Sequence, residues 1–95
     1  MELKDTIEMM QSADYKERFK AEYKQTKIRY EKLKAYNTKI EAAERATYGC
    51  SPSVKVEMPK HDCPIDLLQS QQHVMGEYLH LLEVRAVIEG VELEV

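Results

Sequence analysis

The chain has 95 residues, 33% of them charged and 43% hydrophobic, with three glycines, three prolines and a net charge of −3. That length admits one small domain, spanning 1–95, whose own core is marginal, and the composition is neither disordered nor fibrous. Mean hydropathy is −0.58, no apolar run approaches the roughly 18 residues of a membrane span, and the start MELKDTIEMM carries acids where a secretory signal has an apolar stretch.

In chain order, Leu3, Ile7 and Met10 repeat at i, i+4, i+7. They predict a short amphipathic helix over 2–11 that folds back or continues into the next one. Between Ser12 and Thr47 there is no glycine and no proline, and Lys, Glu, Ala and Arg abound. Phe19, Tyr23, Thr26, Tyr30, Leu33, Asn37 and Ile40 follow one another at alternating steps of four and three. This heptad stripe predicts a helix over 13–47, about 50 Å long at 1.5 Å per residue. Ser12 or Asp14 is placed to cap it.

Tyr48 and Gly49 end that helix, with Gly49 where a left-handed C-cap belongs. Residues 48–63 read as a loop, because Val54 and Val56 alternate over too short a stretch for a sheet. Pro64 suits a first helical position, and Asp66 suits the positive end of a helix. A helix is predicted over 64–89, stopping at Gly90. It carries two stripes: Ile65, Leu68, Gln72, Met75, Leu79, Leu82, Ala86, and Leu67, Gln71, Val74, Tyr78, Leu81, Arg85, Ile88. A partner helix covers one stripe, so the other needs a second protomer. The expected fold is all-α: an antiparallel two-helix hairpin with a short N-terminal helix, oligomerising through helix packing.

Charge is unevenly spread. Residues 14–45 hold ten Lys/Arg against six Asp/Glu, and residues 64–95 hold Arg85 alone against six acids. A basic segment beside an acidic one suggests that the basic one serves an anionic ligand. The sequence pI near 5.6 argues against general nucleic-acid binding.

Catalytic signatures are lacking. The sequence has no strand–turn–helix nucleophile elbow, no phosphate-binding loop and no dinucleotide fingerprint. Cys50 and Cys63 are thirteen apart, and with His61, His73 and His80 they form no close pair of zinc-ligand spacing. The reading is a binding protein, not an enzyme, with neither metal nor cofactor, in a reducing cytosol.

Six of the seven aromatics, Tyr15, Phe19, Tyr23, Tyr30, Tyr36 and Tyr48, are interleaved with Lys16, Arg18, Lys20, Lys24, Lys27, Arg29, Lys32 and Lys34. Rings stack on bases and cations hold phosphates, so the mixture suits a nucleotide. The plainer alternative is that Tyr23 and Tyr30 fill the hairpin seam under a solvated lysine face. Arg85 is the only basic residue after Lys60, and it stands on the second apolar stripe between Leu81 and Ile88. In a core-facing slot its guanidinium needs an anion: a ligand, or the flanking Glu83 or Glu89.

The segments Asp14-Tyr15-Lys16-Glu17-Arg18-Phe19-Lys20-Ala21-Glu22-Tyr23 and Lys27-Ile28-Arg29-Tyr30-Glu31-Lys32-Leu33 resemble small phage and prophage proteins. So do Cys63-Pro64-Ile65-Asp66-Leu67-Leu68 and the run from Met75 to Ala86, with Ile88-Glu89-Gly90. The resemblance, over most of 14–93, is to the helical-hairpin family shared by phage anti-CBASS and anti-Thoeris sponge proteins. It implies a protein that binds a cyclic nucleotide immune signal without hydrolysing it: a cyclic dinucleotide, a cyclic trinucleotide or a cyclic ADP-ribose isomer. It further implies hexamers with ligand pockets between protomers, in the host bacterial cytosol. The anti-Thoeris branch has an extra N-terminal domain, so this chain is similar to the hairpin-only branch. The family's base-stacking aromatic falls on Tyr15 or Phe19, its phosphate-binding lysine on Lys27 and its late arginine on Arg85. The unusual loop implies a changed pocket rim. The competing reading is a small coiled-coil adaptor, which the heptad stripe supports equally.

Overall fold

The computed structural model describes residues 1–48 and 57–93. Among these the chain is helical and contains no strand. A 3₁₀ turn, Leu3–Thr6, runs into a single α turn, α1 (Ile7–Met10), followed by the long helices α2 (Tyr15–Tyr48) and α3 (Ile65–Glu89). Gly49, Cys50 and the alternating valines of the expected loop lie outside the described residues.

The start of α2 divides the capping work between both sequence candidates. Asp14 Oδ1 accepts the Lys16 amide at 3.0 Å, while Ser12 Oγ accepts the Asp14 amide at 3.0 Å. Asp14 thus satisfies an amide of the first turn, and Ser12 fixes Asp14. At α3, Pro64 is the N-cap and not the first helical residue expected from the sequence. Its ψ of 144° is extended, so the helix begins at Ile65, with the Pro64 carbonyl accepting from Leu67 and Leu68. The other end stops at Gly90, in the left-handed region at φ 71° and ψ 33°. Val91 N–H then closes back on the Ala86 carbonyl at 2.8 Å, and its buried side chain joins the core.

α3 runs back along α2. Tyr23 meets Glu83, Tyr30 meets Gly76, and Asn37 meets Leu68 and Gln72, so numbers rise on one helix as they fall on the other. The α2 heptad stripe lies in this seam. Phe19, Tyr23, Asn37 and Ile40 are buried, and Thr26, Tyr30 and Leu33 are half-buried. Phe19, Tyr23, Leu79, Leu82, Ala86 and Val91 form the main cluster, toward the start of α2. Burial of Tyr23 or Leu82 stabilises by about 1.5–3 kcal/mol each. Toward the other end the seam turns polar: the Asn37 amide donates to the Leu68 carbonyl at 3.1 Å and to Gln72 Oε1 at 2.9 Å.

The N-terminal segment packs on α2, but not through the expected stripe. Leu3, Ile7 and Met10 are 38%, 52% and 39% exposed, and Thr6 is fully buried. The reason is the 3₁₀ geometry of Leu3–Thr6. At three residues per turn, Leu3 stands above Thr6, and the four-residue step to Ile7 leaves that face. Thr6 Oγ1 donates to the Leu3 carbonyl at 2.6 Å and accepts from Gln25 Nε2 of α2 at 2.8 Å.

Candidate functional site

Tyr15 opens α2 and Phe19 follows one turn later, their rings 6.1 Å apart and tilted by 59°. Phe19 is in the core, whereas Tyr15 is exposed. From α3, Arg85 reaches over both. Its guanidinium carbon lies 4.9 Å from the Phe19 ring centre, and Nη2 donates to the Tyr15 hydroxyl. Its Nε donates to Glu89 Oε2 at 2.9 Å. Three of the four residues singled out in the sequence, Tyr15, Phe19 and Arg85, thus meet on one ledge.

The core-facing slot expected for Arg85 needs correction, because the residue is exposed. Of the anions considered for it, the flanking Glu89 is the one it meets. The second stripe of α3 is the uncovered one, so a residue on it faces solvent within the protomer. Glu89 is chosen over Glu83 by helical geometry: i and i+4 are neighbours on a helix surface, while i and i−2 are not. Glu83 instead accepts from the Tyr23 hydroxyl at 2.6 Å. Burial and this carboxylate push the Tyr23 phenol up to about 12.

Lys27 lies elsewhere. Its ammonium sits 5.9 Å from the Tyr23 ring centre. Twelve residues separate it from Tyr15, about 18 Å along the helix. Within one protomer it therefore belongs to a separate part of the surface.

Electrostatics knit the ledge together. Hydrogen bonding from Arg85 holds the Glu89 carboxyl below its usual value; burial opposes it, and the Tyr15 hydroxyl and the charges of Arg85 and Lys16 add smaller downward effects. Next to this group the Tyr78 hydroxyl donates to Glu22. That bond, then burial, raises the Tyr78 phenol, and the Arg85 charge opposes the rise. Sequence reasoning passed over Glu22 and gave Tyr78 only a place on a stripe. The Tyr78–Glu22 bond joins residues 56 apart, which no local spacing signals.

A second concavity, of about 880 Å³, opens over α3 beside Tyr30, Gln72, His73, Gly76, Glu77 and His80. Gly76 lets the Tyr30 ring lie against the helix: a Cβ there would stand 3.2 Å from Tyr30 Cε1. His73 and Glu77 pair at 3.3 Å on the exposed rim. Among the described residues no group of three or more His, Cys, Asp or Glu is placed to hold a metal ion. Cys63 is free and exposed, and Cys50 lies outside the described residues. No helix among the described residues is long and apolar enough to cross a membrane.

Comparison with known families matches residues 13–88 to the one described as Sequestin. The match runs from just before α2 into the last turn of α3, and so includes the ledge up to Arg85. No curated protein and no solved structure matches the chain significantly.

Proposed function

Because the chain belongs to the Sequestin family, we propose that it is a phage or prophage anti-defence sponge, binding a cyclic nucleotide immune signal and holding it without chemical change. The family agrees with the resemblance read from the sequence. Sequestration needs tight binding and no turnover. The residues required are therefore rings for bases and cations for phosphates, not an acid–base pair or a metal.

The observation that carries this reading is the meeting of Tyr15, Phe19 and Arg85, drawn from positions up to seventy residues apart, on an accessible ledge. The exposed Tyr15 ring suits stacking on a base, and the Arg85 fork, bonded here to Glu89 and the Tyr15 hydroxyl, suits a phosphate. On a single protomer this ledge is open to water. The same face of α3 leaves Leu67, Val74, Tyr78, Leu81 and Ile88 from 42% to 77% exposed. A neighbouring copy on that stripe would bury it and wall the ledge, and the expected assembly is a hexamer. Lys27 then enters the ligand site from a different protomer than Arg85. No cofactor is needed, and the host cytosol is the proposed setting.

Thermal melts with a panel of cyclic di- and trinucleotides and cyclic ADP-ribose isomers test the proposal. A ligand at a thousandfold excess over Kd stabilises by about 4 kcal/mol. One member of the panel is expected to shift the melt strongly and to be recovered intact after heat denaturation. A cleaved product would make the protein an enzyme. No shift with any member would favour the second reading, a coiled-coil adaptor, which rests on the uncovered stripe of α3 alone.

A further inference from the structure

Glu89 occupies the position on the ledge that a ligand anion would need. Its Oε2 takes the Arg85 Nε–H at 2.9 Å. Arg85 Nη2 donates to the Tyr15 hydroxyl, and that hydroxyl and the Lys16 ammonium both act on the same carboxylate. The Arg85 fork from α3 thus joins the Glu89 carboxylate to the Tyr15 phenol of α2, and a guanidinium beside a phenol is a donor pair suited to a phosphate.

Glu89 is the i+4 neighbour of Arg85 on α3, yet its place works against the helix end. It is the last residue of α3, where the negative end of the helix dipole disfavours a carboxylate. Its sequence neighbour Gly90 already supplies the stop.

We propose that Glu89 is an internal competitor for Arg85: the carboxylate fills the anion position in the empty protein and must be displaced before a ligand phosphate can take the guanidinium. This rests on the sponge reading and adds a specificity element to it. Anions that offer Arg85 one weak contact leave Glu89 in place. Only a ligand that also gains from stacking and from a second cation displaces it. A surplus of simple phosphate in the cytosol would then not fill the site.

The test uses the full-length protein and inorganic pyrophosphate at constant ionic strength, following the Arg85 Nε–H signal by NMR. Glu89→Gln keeps the shape of the side chain and removes its charge. It is expected to bind pyrophosphate at least tenfold more tightly than the wild type, with the Arg85 signal moving as the site fills. Glu92→Gln, the same charge change three residues on, is expected to give no gain, and Arg85→Lys/Glu89→Gln is expected to lose it. Equal affinity of wild type and Glu89→Gln, or a gain that survives without Arg85, would overturn the proposal. The sponge reading fails separately, when no cyclic nucleotide shifts the melt of the wild type. If a cyclic nucleotide shifts the melt of the wild type and of Arg85→Ala equally, Arg85 is no ligand residue. If Arg85→Ala abolishes that shift while Glu89→Gln gains nothing, only the competitor role falls.

Discussion

Leu81 and Leu82 are consecutive residues with opposite environments: Leu82 is 1% exposed in the seam with α2, and Leu81 is 60% exposed on the far side of α3. Two substitutions separate what these sides do. Leu82→Ala is expected to cost about 2–5 kcal/mol of folding stability, the usual range for emptying a packed leucine site. Leu81→Glu is expected to leave helix content unchanged and to reduce the assembled protein to monomers, seen by light scattering. Monomeric wild type at micromolar concentration, or Leu81→Glu with unchanged mass, would defeat the interfacial site.

Tyr30 and Gly76 make a prediction about coupling. Alanine is favoured over glycine inside a helix by about 1 kcal/mol. At Gly76 the added methyl would press on the Tyr30 ring at 3.2 Å, so little of that gain is expected in the wild type. With Tyr30→Ala the obstruction is gone, and Gly76→Ala is expected to stabilise by the full ~1 kcal/mol. Chemical denaturation of the four proteins at one concentration gives the cycle. Equal gains in both backgrounds would show that Tyr30 does not need the glycine.

Much of this architecture is legible in the sequence, and the exceptions have physical causes. The α2 stripe from Phe19 to Ile40 stands out because nothing in the helix interrupts it. Both stripes of α3 are largely apolar, although the second carries Arg85, and spacing alone does not say which meets α2. The choice depends on close approach, which Gly76 permits to Tyr30 beside the stripe of Gln72, Met75 and Leu79. At the N-terminus the four-residue rule misled, because Leu3–Thr6 winds as 3₁₀ and buries a threonine in place of the leucine. Tyr15, Phe19 and Arg85 were separate candidates in the sequence. Only the packing of α3 on α2 brings Arg85 onto the two rings, and of the anions open to it in the sequence the i+4 carboxylate Glu89 meets it, at an exposed position and not in the core.

The Tyr23–Glu83 bond sets a pH limit. The folded phenol titrates at about 12 against 10.0 unfolded, so folding favours its protonated form. Its contribution is fully present below pH 10 and is lost as pH rises through 12. Stability is therefore expected to decline between those values, by an amount on the order of 1–2 kcal/mol for this group. Tyr23→Phe is expected to cost about 1 kcal/mol at pH 7, to flatten its share of the alkaline decline, and to remove a late-titrating tyrosine from the ultraviolet titration. A Tyr23→Phe protein with an unchanged tyrosine titration would contradict the assignment.

Lys27 and Arg85 supply the last prediction. Each is proposed to hold the ligand, yet Lys27 stands over Tyr23, about 18 Å along α2 from Tyr15, the ring that meets Arg85. If both serve one ligand site, they come from different copies. Arg85→Ala alone is expected to weaken binding by about 2 kcal/mol or more, the scale of a lost charge-assisted contact. Lys27→Ala alone is expected to do the same. Coexpressed, the two variants would form mixed oligomers in which some interfaces unite an intact Lys27 from one chain with an intact Arg85 from the next. Those interfaces are expected to bind at wild-type affinity, and calorimetry would count them as a tight, substoichiometric class of sites. Two variants that each fail alone and stay inactive when mixed would place Lys27 and Arg85 on the same protomer's site or remove one of them from it.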